Sequence, residues 1–233
     1  MVKHTERPAF PEAASVPVRR RGRPPNPGRR EDTRALLVRC GTELCTERGF
    51  QITGIDEVLK RAGVPKGSFY HFFRSKHEFG EAVIENYRQY YEKRLDRFLK
   101  DTSMPPLERL DAFINEAQLR FALSNFRRGC LVGNLGQELG GMNDNFRAQL
   151  AAVLNDWEAR VAACLQEAIE RGDLPASHDA AMLASLFWNG WQGAVWRAKL
   201  EQSAAPIRSF GAFFFRSIGR KEMPTEYAEQ PVA

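Results

Sequence analysis

The sequence of 233 residues contains no apolar run long enough to cross a bilayer, which takes about 20 residues; the stretch 212–215 is far too short. The N-terminal segment carries arginine and proline where a secretion signal needs an apolar core. These absences argue against an integral membrane protein and against export. We therefore expect a soluble protein of the cytoplasm.

Cysteine is also scarce, and its spacing argues against several chemistries. Cys40, Cys45, Cys130 and Cys164 include no CxxC pair and are too few for a disulfide scaffold in a chain of this length. None of the four histidines forms a recognisable Cys–His arrangement, and no glycine-rich phosphate loop follows a strand. The sequence therefore indicates a reduced protein with no metal site and no cofactor, and it gives little support for an enzyme.

Strand patterns are almost absent, whereas apolar residues recur with the 3.6-residue period of an α-helix from Glu31 onward. We predict an all-α fold with a compact helical unit at residues 31–91 and a second helical domain at residues 92–220. A flexible tail is expected at residues 221–233.

Positive charge is concentrated in residues 1–30, which hold eight cationic and two acidic side chains, whereas the other 203 residues sum to −1. Six prolines and few large apolar side chains predict that this segment is a disordered basic arm. Its centre, Arg-Arg-Arg-Gly-Arg-Pro-Pro at 19–25, resembles an AT-hook, whose arginines lie in the narrow minor groove of A·T-rich DNA. Arg21 and Arg23 are candidate DNA contacts, although a solubilising tail is an equally good interpretation of the arm alone.

The helical unit contains two short helices joined by a tight turn. Thr53 and Asp56 form a predicted capping box at the start of one helix, and Gly63 follows its end. The next helix is predicted at residues 66–73. This arrangement, spanning residues 54–73, is typical of a helix-turn-helix, in which the second helix presents its first residues to DNA bases. A helical hairpin without a DNA role is the alternative.

The charge around this motif favours a polyanionic partner. Residues 52–76 carry five cationic and two acidic side chains, a net charge of +3. At the end of this stretch, Ser75 and Glu78 form another predicted capping box, which starts a long helix running to about Lys100.

The residues of this unit resemble the DNA-binding domain of the TetR family of regulators. The resemblance covers about 45 residues with the same spacing and lies in Gly49-Phe50, Thr53 and the run Val58-Leu-Lys-Arg-Ala-Gly-Val-Pro-Lys-Gly-Ser-Phe-Tyr-His-Phe-Phe-Arg-Ser-Lys76. It implies a three-helix helix-turn-helix domain that binds double-stranded DNA. It also implies that Lys66, Gly67 and Ser68 face base edges, that Tyr70 and His71 touch phosphates or thymine methyl groups, and that Thr53 and Lys76 bind phosphates.

The C-terminal two-thirds of the chain continue the helical pattern. Helices are predicted at 105–123, 130–139, 143–171, 178–201 and 205–219. The last two are rich in aromatic residues, which favours either burial or a partner helix pair. The TetR resemblance implies the second interpretation, a homodimer through helices near 178–219 that lets two recognition helices read a palindromic operator.

A candidate sensor lies in the unusual segment 126–141. Cys130 follows two arginines at the predicted start of a helix, and both features favour a thiolate. A small buried residue at a helix start is the alternative interpretation. The segment Arg-Gly-Cys-Leu-Val at 128–132, together with Lys-Gly-Ser-Phe-Tyr-His at 66–71, resembles a branch of the family that responds to acrylate and other electrophilic compounds.

The resemblance therefore implies a repressor that a small α,β-unsaturated inducer such as acrylate releases from its operator. Candidate ligand-binding residues besides Cys130 are Asn134, Gln137, Trp188, Asn189, Gln192, Trp196 and Arg120, with Arg127 and Arg128 as further cations for a carboxylate. Two other hypotheses remain open at this point. One is an architectural binder of A·T-rich DNA that uses the Arg-Gly-Arg-Pro arm, and the other is a thiol enzyme built on Cys130.

Overall fold

Eight α-helices and one 3-10 helix, with no strand, make up residues 27–220, the part of the chain that the computed structural model describes. The α-helices are α1 (Pro27–Arg48), α2 (Ile55–Ala62), α3 (Lys76–Leu99), α4 (Pro106–Leu123), α5 (Leu131–Leu139), α6 (Asp144–Glu170), α7 (Ala180–Glu201) and α8 (Ala205–Ser217), and the 3-10 helix is Lys66–His71. The predicted all-α class is confirmed. Within this range no helix is long and apolar enough to cross a membrane.

The periodicity of the sequence located the C-terminal helices well, since α4 to α8 begin and end within two residues of their predicted bounds. The start of α1 differs, because the helix begins at Pro27, inside the segment predicted to be a disordered arm. Proline suits a first helical turn, where its missing N–H would have no partner. Arg21, Arg23 and the tail at 221–233 lie outside the described residues.

The predicted cap of α2 is wrong, whereas that of α3 is correct in part. The Thr53 hydroxyl donates to the Gly49 carbonyl oxygen at 2.6 Å, and α2 begins after Gly54 with no side-chain cap. At α3, the Ser75 hydroxyl accepts from the Glu78 backbone N–H at 3.1 Å as predicted. In a capping box the Glu78 carboxylate would accept from the backbone N–H of Ser75. Here it accepts instead from the backbone N–H of Arg74, at 2.7 Å.

Aromatic side chains hold the N-terminal helices together. Three phenylalanines are fully buried, with ring centroids 5.0 to 5.3 Å apart. They are Phe69 of the 3-10 helix, Phe73 of the following turn and Phe79 of α3. A side chain at Gly41 of α1 would collide with the Phe79 ring, so glycine permits the close approach of α1 and α3. This core fixes which face of the 3-10 helix remains outside.

The core of the C-terminal part is built around α6. Trp157 lies between Tyr91 of α3, at 4.6 Å between ring centroids, and Trp188 of α7, at 4.9 Å. Helix α3 runs through residue 91, where the boundary between the two helical domains is predicted, and it contributes side chains to both cores. One continuous helix therefore connects the two parts of the chain.

Candidate DNA-binding surface and effector site

The 3-10 helix presents its polar face to solvent. Tyr70 is 68% exposed, and Lys66, Gly67 and His71 are also exposed, while Ser68 is half-buried beside the buried anchor Phe69. The side chains predicted to read DNA therefore lie on one accessible edge.

The ion pairing of Lys66 leaves it available to a DNA ligand. Its ammonium lies 3.2 Å from the Asp56 carboxylate, and the two side chains are 83% and 72% exposed. An exposed pair of this kind contributes at most about 1 kcal/mol, so exchanging Asp56 for a base or phosphate costs little.

The two residues predicted to bind phosphate differ in the structure. Lys76 is partly exposed, and its ammonium donates to the Gln51 carbonyl oxygen at 3.0 Å and lies 4.8 Å from the centre of the Phe50 ring. Thr53 is 2% exposed and its hydroxyl is turned inward to Gly49. The Thr53 hydroxyl is therefore not presented to a phosphate in this conformation.

A cleft of about 1250 Å³ lies between α1, α3, α4 and the loop that precedes α5. Six arginines and three carboxylates line it, so the cleft favours an anionic ligand. Arg120 is among the lining residues and is ion-paired to Glu116, which also pairs with the buried Arg94 at 2.5 Å. One end of the cleft reaches Gly129, the residue directly before Cys130.

Two tyrosines that line this cleft, Tyr87 and Tyr91, are also near Cys130. The Tyr87 hydroxyl hydrogen bonds the Tyr91 side chain and the backbone of Leu131, the first residue of α5. Burial raises the pKa of both tyrosines above the usual value, so they remain neutral hydroxyl groups.

Cys130 occupies the N-cap position of α5 and is 5% exposed. The Gln192 amide of α7 donates to its sulfur at 3.4 Å. A side chain at Gly133 would meet the Gln192 amide oxygen at 2.8 Å, so glycine one turn into α5 allows this contact. The sulfur therefore lies at the start of α5 with the Gln192 amide as its hydrogen-bond donor.

The other three cysteines are core residues, as predicted for Cys40 and Cys164. Cys40, Cys45 and Cys164 are free and buried. Burial raises the pKa of the Cys45 thiol to about 11 and that of the Cys164 thiol to about 12, and it also raises the pKa of Cys40. These three remain protonated thiols at neutral pH. Among the described residues no group of His, Cys, Asp and Glu could hold a metal ion.

Known proteins match both parts of the chain. The family model for bacterial regulatory proteins of the tetR family matches residues 37–83, and the model for the tetracyclin repressor-like C-terminal domain matches residues 106–214. The transcriptional regulator AcuR of Cereibacter sphaeroides is 49% identical over 203 residues, covering 87% of this chain and 93% of AcuR. The chain belongs to the TetR family.

Two further comparisons agree with this membership. The HTH-type transcriptional repressor NemR of Escherichia coli K12 is 34% identical over 183 residues, covering 76% of this chain and 89% of NemR. A crystal structure of regulatory protein TetR from Rhodobacter sphaeroides has a TM-score of 0.77 at 49% identity and covers 79% of this chain and 97% of that chain. The chain is thus a TetR-family transcriptional repressor with an N-terminal helix-turn-helix DNA-binding domain.

The structure gathers only some of the residues predicted to bind the effector of this TetR-family regulator. Cys130 contacts Gln192, and Trp188 is buried one turn earlier on α7. Asn134 is partly buried, but its amide donates to the carbonyl oxygens of Cys45 and Thr46 at 3.1 and 3.2 Å, so it binds the end of α1.

Three predicted effector contacts lie elsewhere. Gln137 is exposed on α5, Asn189 is exposed on α7, and Trp196 is 65% exposed on α7. Trp188 and Asn189 are adjacent, so a helix turns them about 100° apart and only one can face the core. In this chain, the structure does not bring Gln137, Asn189 or Trp196 to the surroundings of Cys130.

Sequence reasoning missed several residues that shape the site. Tyr87, Tyr91 and Arg94 line the cleft, Lys199 donates to the Glu47 carbonyl oxygen at 2.6 Å, and Glu138 contacts the turn after α1. The first three lie on the inward face of α3, a position that the helical period does indicate. The contacts of Lys199 and Glu138 cross more than 80 residues and leave no local pattern.

We expect Lys66→Ala to weaken operator binding by about 1–3 kcal/mol and to relax the preference at one base position, because a base contact is removed. Its side chain is 83% exposed, so the thermal midpoint should not change. Lys93→Ala, which removes an exposed lysine of α3, is the matched control. Fluorescence anisotropy with operator variants measures both affinities, and equal affinities for the two variants would contradict the assigned role of Lys66.

Proposed function

We propose that the chain acts in the cytoplasm as a homodimeric repressor that binds a palindromic operator and is released by acrylate or a related α,β-unsaturated compound. The observation that carries the effector part is the arginine-lined cleft, whose lining includes Gly129, the residue directly before Cys130. The arginines suit the carboxylate of an unsaturated acid, and the nearby Cys130 sulfur is of the chemical type that adds to its double bond.

An exposed apolar stripe on α7 supports the homodimer. Met182, Leu186, Trp196 and Leu200 are 56 to 68% exposed at the spacing of one helix face, and Phe213 of α8 is 70% exposed. Exposed apolar patches of this kind mark interaction surfaces. A second copy covers the stripe through a two-fold axis, which is the symmetry that a palindromic operator requires.

Leu200→Glu should shift the protein from dimer to monomer, because each copy would bring a carboxylate to the interface. A penalty of about 1.4 kcal/mol from each copy weakens the dimer about 100-fold. Leu119→Glu on α4 is the matched control, since Leu119 is 66% exposed and Leu200 is 68% exposed. Light scattering after size-exclusion chromatography gives the mass of each variant. A dimeric Leu200→Glu protein would place the interface elsewhere.

The loop between the cleft and Cys130 supports a site that adjusts to its ligand. Asn125 and Phe126 both have left-handed backbone conformations, with φ of 49° and 54°. Such a conformation costs a non-glycine residue about 1 kcal/mol or more, and strain of this kind is often found at ligand sites. A ligand in the cleft reaches the Cys130 sulfur when this loop and the Tyr87 side chain move aside.

Two binding modes fit the site. In one, the Cys130 thiolate adds to the β-carbon of the unsaturated compound, a carbon–sulfur bond forms, and the α-carbon takes up a proton. In the other, the ligand sits beside the thiol without reaction. In both modes the ligand alters the separation of the two DNA-binding helix-turn-helix motifs. Operator occupancy changes from 99:1 to 1:99 when the ligand favours the non-binding state by about 5.5 kcal/mol.

Acrylate should release the wild-type protein from its operator, and Cys130→Ser should lose this response while retaining operator affinity. Propionate is the matched ligand control, because it keeps the carboxylate and lacks the double bond that accepts a thiolate. An electrophoretic shift assay with DNA from the gene's own upstream region measures each case. If acrylate also releases Cys130→Ser from the operator, the sulfur only lines the pocket and does not react. Specific operator binding that acrylate leaves intact in the wild type would overturn the proposed effector.

A further inference from the structure

The Glu138 carboxylate of α5 holds the turn between α1 and α2. The backbone N–H of Phe50 donates to it at 2.9 Å and that of Gln51 at 2.7 Å. These are charge-assisted hydrogen bonds, which are shorter and stronger than neutral ones. They connect a helix of the C-terminal domain directly to the chain that leads into the helix-turn-helix.

The position of Glu138 is unfavourable without these partners. It is the last residue but one of α5, where the helix dipole disfavours a carboxylate. The N–H donors of the turn compensate this penalty. Gly49, with φ of 94°, completes the fit, because any side chain there would overlap the Glu138 carboxylate.

The same turn is held from its other side by α3. The Lys76 ammonium donates to the Gln51 carbonyl oxygen at 3.0 Å and lies over the Phe50 ring. Lys76 follows the 3-10 helix that presents Lys66 and Tyr70 to solvent. An anion on α5 and a cation on α3 therefore bind the same two successive residues of the turn that leads into α2.

The other end of α5 lies at the effector site. Cys130 caps the helix and contacts Gln192, and the Gly129 N–H donates to the Thr46 carbonyl oxygen at 2.8 Å. Between the two ends, the Asn134 amide binds the last carbonyl groups of α1. This helix of nine residues, about 13 Å long, thus touches the effector site at its start and the helix-turn-helix at its end.

We propose that Glu138 is a positioning residue for operator recognition, and that α5 transmits the occupancy of the Cys130 site to the DNA-binding surface through it. The second half of this inference rests on the proposed function. An occupant beside Cys130 displaces α5, the Glu138 carboxylate leaves the N–H groups of Phe50 and Gln51, and the turn loses its DNA-binding conformation.

Glu138→Ala should therefore weaken operator binding in the absence of any effector. If the freed turn adopts the binding conformation about a tenth of the time, the dissociation constant rises about tenfold. Glu138→Gln keeps one acceptor oxygen and should fall between the wild type and Glu138→Ala. Glu170→Ala, which removes an exposed carboxylate at the end of α6, is the matched control and should bind like the wild type.

The measurement combines operator anisotropy with hydrogen–deuterium exchange of the full-length protein, at a temperature where circular dichroism shows every variant folded. Faster exchange at Phe50 and Gln51, with unchanged exchange in α6, is expected for Glu138→Ala. Wild-type operator affinity in that variant overturns the proposal. A loss of affinity that only parallels a loss of folded protein also overturns it, because Glu138 would then merely stabilise the fold.

The transmission is tested by the ratio of operator dissociation constants with and without acrylate. This ratio should fall towards one in Glu138→Ala and stay at the wild-type value in Glu170→Ala. An unchanged ratio in Glu138→Ala removes α5 from the signalling route. If acrylate has no effect on the wild type, the proposed effector is wrong, and the positioning role of Glu138 is still decided by the affinity and exchange data.

Discussion

The last carbonyl groups of α1 need hydrogen-bond donors, and the C-terminal domain supplies them. Asn134 donates to Cys45 and Thr46, and Lys199 donates to Thr46 and Glu47. Burial lowers the pKa of Lys199, whereas the C-terminal end of α1, where its ammonium lies, favours a positive charge. These bonds, together with Glu138 at the following turn, fix the helix-turn-helix relative to the ligand-binding part of the chain.

Aromatic packing and interhelical polar bonds differ in strength, and this difference explains how the molecule can be both stable and responsive. Each aromatic core is close-packed and transmits displacement, because well-packed side chains do not deform gradually. The polar bonds between α5, α7 and the end of α1 contribute about 0.5–1.5 kcal/mol each when neutral and about 1.5–3 kcal/mol each when a charged group takes part. A ligand that binds the non-binding state more tightly by about 5.5 kcal/mol reverses operator occupancy, and the rearrangement can be confined to these polar bonds while both cores stay intact.

The sequence predicts the helices better than the site. Apolar periodicity located α4 to α8 to within two residues, and the chemistry of Ser75 located the start of α3. Thr53 carries the same capping signal, but its hydroxyl donates to the Gly49 carbonyl oxygen and the N-cap of α2 is Gly54. The residue type of Trp196 suggests a place in the pocket, but it does not determine which face of α7 the side chain occupies. Glu138 could be found only from tertiary structure, although a carboxylate at a helix C-terminus is a signal that a partner is required.

In the proposed function, an effector beside Cys130 changes the arrangement of the two DNA-binding surfaces in the dimer. Double electron–electron resonance between non-cysteine spin labels at Lys60, an exposed residue of α2, measures this arrangement directly. We expect one narrow distance distribution on operator DNA and a shifted distribution when acrylate is added. Release of the operator by acrylate with an unchanged distance distribution would contradict it.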